Sequence, residues 1–138
     1  MTARPPLEVA NSAREAARHL RAAALVHIAE GRRSVHDVIR LAATENGRPL
    51  LRITVKQLLL AQPGVGDESV RRVIDHITTV TGATDVPVRR ITVAWLLDAR
   101  AGGRRFMAFC DALGDNTQTP WPGFPFTPRP ARRSGGPR

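Results

Sequence analysis

The chain has 138 residues, with 21 basic against 12 acidic side chains and a formal net charge of +9. That length suits one domain, and the charge favours a polyanionic partner, nucleic acid first. A hydrophobic content of 42% is too high for a wholly disordered chain, no apolar run approaches the roughly 18 residues of a membrane span, and the single Cys110 excludes a disulfide framework and a cysteine-ligated zinc finger.

Residues 1–7 read as a flexible arm, and the spacing predicts a helix from about Glu8 to Glu30. Ala13, Ala16, Ala17, Leu20, Ala24, His27 and Ile28 recur at helical intervals, while Arg14, Arg18 and Arg21 share another face. The arginines ahead of Ala22–Ile28 imitate a signal peptide, but His27, the following Glu30 and the distance from Met1 favour an amphipathic helix. The expected location is therefore cytoplasmic. Gly31 is a natural stop. Ser34-Val35-His36-Asp37 forms a capping-box variant, and Val35, Val38, Ile39 and Ala42 then point one face inward. Glu45-Asn46-Gly47-Arg48-Pro49 is turn chemistry.

An internal repeat follows. Thr54 and Gln57 make a capping box with Ile53 and Leu58 as its hydrophobic staple, and the helix must end before Pro63. Pro63-Gly64-Val65-Gly66 is a tight hairpin. A second helix starts near Asp67 with Val70, Val73, Ile74 and Ile77 as its core stripe, and Gly82 closes it. Arg52-Ile53-Thr54-Val55 returns as Arg90-Ile91-Thr92-Val93, an offset of 38, and Phe106, Phe109, Cys110 and Leu113 repeat the second stripe at an offset of 36. The pattern predicts two helix–hairpin–helix units, the second turning through Arg100-Ala101-Gly102-Gly103, with a pseudo-two-fold pairing as one arrangement open to them. No strand pattern is present. Residues 8–114 thus form an all-α domain. Residues 115–138 form a Pro/Arg-rich tail that holds six of the eleven prolines together with Trp121, Phe124 and Phe126.

Glycine-opened corners leading into helices suit a phosphate, because backbone N–H groups converge without a Cβ in the way and the helix end adds positive potential. At the first corner the candidates are Gly64, Val65, Gly66 and Ser69, with Lys56, Arg71 and Arg72 flanking the strand. Asp67 and Glu68 oppose it, since carboxylates on the first helical turn would cap the same donors. The second corner carries Gly102-Gly103-Arg104-Arg105 instead, with Arg100 before it and the pair Arg89-Arg90 nearby. Such contacts grip the backbone and leave bases unread. Arg32-Arg33 and the Arg14, Arg18, Arg21 stripe are either further phosphate contacts or solvated faces. The four histidines show no metal-ligand spacing, Cys110 lies in an apolar stripe, and Gly64-Val65-Gly66 lacks a phosphate-loop ending, so no enzyme, cofactor, metal or small-molecule substrate is expected.

From about Ala13 to Leu113 the sequence resembles the actinobacterial integration host factor family. The likeness rests on the Ala/Arg-rich first helix, on Ser34-Val35-His36-Asp37-Val38-Ile39, on Leu58-Leu59-Leu60-Ala61-Gln62-Pro63-Gly64-Val65-Gly66 followed by Val73-Ile74, and on Arg89-Arg90 and Arg104-Arg105-Phe106. The resemblance implies an S13-like helix–two-turn–helix fold and a nucleoid protein that binds double-stranded DNA largely without sequence preference. It also implies backbone contacts from Gly64, Val65 and Gly66 and side-chain help from Arg89-Arg90. Asp67-Glu68 and the long tail depart from the family pattern. DNA bending, compaction or aid to recombination, with a recombinase or other protein partner on the tail, follows as an expectation. The alternatives are an RNA- or ribosome-binding protein of the same fold, and an adaptor that offers its proline-rich tail to a partner groove.

Overall fold

Proline is well placed at the first position of a helix, because the N–H it lacks would have had no partner there. Helix α1 accordingly runs from Pro6 to Ala29 in the computed structural model, which describes residues 6–114. The start expected near Glu8 is two residues late, and Pro6 and Leu7 belong to the helix rather than to an arm. Only the last part of the expected apolar stripe is used: Ala24 and Ile28 are buried, whereas Ala13, Ala16 and Leu20 remain exposed. At about 1.5 Å per residue, the helix is longer than the core beneath it.

Gly31, in the left-handed conformation, ends the helical run. Helix α2 (Val35–Ala42) opens with the reciprocal box: the Asp37 N–H donates to Ser34 Oγ and the Ser34 N–H donates to Asp37 Oδ2, both at 3.0 Å. Its inward face is the expected one, since Val35, Val38, Ile39 and Ala42 are all buried. The Glu45–Pro49 turn passes into a 3₁₀ turn at Arg48–Arg52. Gly47 has no substitute there, because a Cβ would overlap the Leu41 carbonyl.

Both repeat units begin on a threonine cap. Thr54 opens α3 (Val55–Ala61) with the full Thr54/Gln57 box, and Thr92 opens α5 (Val93–Leu96), where Trp95 in place of glutamine leaves only the forward bond. Helix α5 is accordingly shorter, and Asp98 caps a 3₁₀ turn at Ala99–Ala101 that leads to the second corner. Each unit continues into a longer helix, α4 (Asp67–Thr81) and α6 (Arg104–Ala112).

The repeat is also joined in space. The Val55 N–H donates to the Ile91 carbonyl and the Val93 N–H donates to the Ile53 carbonyl, each at 2.9 Å. Together they make one isolated antiparallel bridge between Thr54 and Thr92. Equivalent residues exchange equivalent bonds, as a local two-fold axis between the copies requires. Helices α4 and α6 pack on each other, burying Ile74 and Ile77 from one and Phe106, Phe109 and Cys110 from the other. Val73 and Leu113, expected in these stripes, are half-buried at the edge of the same core. The described residues are therefore all-α apart from that bridge, with a single hydrophobic core. The expectations for residues 1–5 and for the tail, 115–138, lie outside the described residues.

Candidate nucleic-acid interface

Helices α2, α3 and α5 are capped by Ser34, Thr54 and Thr92 side chains, whereas the helices that follow the two corners are capped by glycine with no side-chain bond. At the first corner Gly64 is left-handed (φ 80°) and Gly66 is the extended N-cap of α4. Asp67 and Glu68 are exposed, and neither makes a side-chain hydrogen bond to any described residue. The capping expected of them is not made. Their charge nonetheless stands on the first turn. At the second corner both Gly102 and Gly103 are left-handed, a conformation other residues adopt at a cost, and α6 starts on Arg104.

The second corner holds an acid that the glycine–arginine pattern hides. Asp98 accepts from the Arg100 N–H at 3.0 Å and forms a two-pronged pair with the Arg100 guanidinium, through Nε at 3.1 Å and Nη2 at 2.7 Å. The acid lies ahead of the glycines, while the first turn of α6 carries Arg104 and Arg105 as expected. Arg105 is also turned inward: its guanidinium lies 4.2 Å from the Trp95 ring centroid and donates to the Trp95 carbonyl at 3.0 Å. It ties the corner together while part of its side chain stays exposed. Arg104 is exposed, with only its Nε engaged, at 3.3 Å from the Ala101 carbonyl. Arg100, Arg104, Arg105 and Asp98 line one cleft, three cations against one acid.

The Asp98 carboxyl is held at about 2, chiefly by the hydrogen bonds from the Arg100 side chain and then from its backbone N–H. A carboxyl whose pKa falls on folding stabilises the native state above its unfolded value and loses that contribution as pH falls through the folded value. Asp98→Asn should therefore reduce stability at neutral pH and converge on the parent only below about pH 2, flattening the decline between about pH 4 and pH 2. Urea unfolding followed by circular dichroism across that range measures it.

Around the first corner the cations do not act as one group. Lys56 and Arg71 line a cleft with Asp67 and Asp75, so its charges balance. Arg72 and Ser69 line a different cleft, beside His76, whose Nε2 lies 2.9 Å from Asp111 Oδ2 between α4 and α6. Of the three cations expected to flank the strand, Lys56 and Arg71 share one cleft and Arg72 lines another. Arg89 and Arg90 are exposed on a 3₁₀ turn, Val88–Arg90, just before the second Thr cap. Arg32 pairs with Glu30 at 3.3 Å.

A larger group of cations lies elsewhere among the described residues. A groove of about 480 Å³ between α1 and the Arg48–Arg52 turn is lined by Arg14, Arg18, Arg21, Arg48 and Arg52, with no acid in its walls. The sequence reading separated the α1 stripe from Arg48 and Arg52, which stand in a turn about thirty residues on. Ala13 and Ala17, small residues beside the arginine stripe, were the available signal of a groove there.

Among the described residues no three histidine, cysteine or carboxylate side chains converge on a metal-sized site, and no helix is long and apolar enough to cross a membrane. Cys110 is buried, with Sγ 3.5 Å from His36 Nε2. No protein-family model, curated protein or solved structure matches this chain. Its likeness to the integration host factor family rests on the motifs alone.

Proposed function

We propose that this chain is a non-enzymatic, nucleoid-associated DNA-binding protein of the cytoplasm that grips the phosphate backbone of double-stranded DNA largely without reading its sequence. The reading takes the core as an S13-like helix–two-turn–helix variant. The observation that carries it is the pair of repeat-related corners whose helices begin on glycine with no side-chain cap, set in a chain of net charge +9. Backbone donors at such corners complement phosphate oxygens and carry no base preference. The mixed charge at both corners argues for moderate contacts at each of them.

Titration of two unrelated duplexes of equal length at about 50 mM salt, where phosphate contacts are strong, tests the reading. The expected result is binding to both with affinities within a few-fold of each other. Failure to bind either contradicts it, and a clear preference for structured RNA of the same length moves the assignment to RNA.

A further inference from the structure

We infer that the principal contact with DNA is the five-arginine groove between α1 and the Arg48–Arg52 turn, and that it takes one phosphate rail of a duplex. The inference rests on the DNA-binding reading and assigns it a different main surface from the glycine corners.

The charge balance of the clefts makes the case. Cations and acids cancel beside the first corner, and at the second one acid ties up Arg100 while Arg105 stacks on Trp95. The groove has five guanidinium groups and no carboxylate in its lining. Arg48 and Arg52 are exposed and make no side-chain hydrogen bond or ion pair with any described residue. Arg14 holds only the Asn11 side chain at 3.1 Å, and Arg18 only Glu15 at 3.2 Å in an exposed ion pair. Phosphate displaces such contacts at little cost. Arg21 is partly buried and donates to the Pro49 carbonyl at 3.3 Å, which ties one wall to the other.

Shape selects the ligand class. Arg14 to Arg21 spans about 10 Å of helix, longer than one phosphate, so consecutive phosphates of one DNA strand can lie along this wall. A lone phosphate engages two or three guanidinium groups and leaves the others crowded and unneutralised. Ala13 and Ala17 keep the floor low enough for the backbone to approach. An extended polyanion fits; a small anion does not.

The test compares Arg48→Ala/Arg52→Ala with Arg71→Ala/Arg72→Ala in the full chain, using mixed-sequence duplex across a salt series. All four positions are exposed, and thermal melts verify that both variants fold. Each lost phosphate contact reduces the slope of log K against log salt by about 0.9, about eightfold in affinity at 0.1 M salt. The groove variant should therefore bind about 60-fold more weakly with a slope shallower by about 1.8. The α4 variant should lose less, and Arg48→Lys/Arg52→Lys should keep the parent slope. A groove variant within twofold of the parent, or one that loses less than the α4 variant, overturns the groove while leaving DNA binding intact. A parent chain that ignores duplex overturns both.

Discussion

Phe109→Ala should lower stability by about 3–5 kcal/mol, the range for emptying a buried aromatic site. Phe109 on α6 is fully buried, with its ring centroid 5.8 Å from Phe106 on the same helix and 5.9 Å from His36 on α2. Neither neighbour can collapse into the gap without leaving its own packing. For a domain of this size the loss corresponds to a melting temperature lower by more than about 12 °C, and it removes a large part of the roughly 5–15 kcal/mol that holds such a domain together. Phe109→Leu, which keeps most of the volume, should cost much less. Thermal unfolding followed by circular dichroism measures both, and a Phe109→Ala melt within a few degrees of the parent would contradict the place of this ring at the centre of the core.

The second large effect is a gain. Asp67→Asn/Glu68→Gln should raise affinity for mixed-sequence duplex by about tenfold at 0.1 M salt, because two negative charges leave the first turn of α4, where phosphate is expected to approach. The same change should cost about 0.3–1 kcal/mol of stability for each residue, since both carboxylates complement the helix dipole in the free protein. Opposite signs on affinity and stability distinguish this account from general loosening of the fold. Unchanged affinity would remove the first corner from the interface.

Most of the fold was legible because its signals are local. Capping boxes at Ser34 and Thr54 set two helix starts, Gly31 and Gly82 set two ends, and the recurring Arg-Ile-Thr-Val marked the repeat. The reciprocal bonds between Val55 and Ile91 and between Val93 and Ile53 were not legible as such. A bond between segments 38 residues apart leaves no trace in either one beyond the similarity itself. Length misled at α1, where helical spacing continues well past the core, so that Ala13 and Leu20 fit the stripe and still face solvent.

The candidate site divides along the same line. Glycines placed both corners, because left-handed backbone favours them, and Gly64, Gly102 and Gly103 adopt that conformation. The roles of the arginines depend on neighbours that sequence order separates. Arg105 meets Trp95 ten positions earlier across the turn, and Arg48 and Arg52 meet Arg14, Arg18 and Arg21 only because the 3₁₀ turn docks on α1. Asp98 was legible in principle, since an aspartate just ahead of a short turn is a common cap for the N–H two residues on.

The most direct test of the central claim is the salt dependence of binding to random-sequence duplex by the purified full chain. If about five phosphates are neutralised, log K should fall against log salt with a slope near −4.5, and unrelated sequences should give the same line. Absence of binding in dilute buffer, or binding that salt leaves unchanged, would contradict an arginine-lined grip on the DNA backbone.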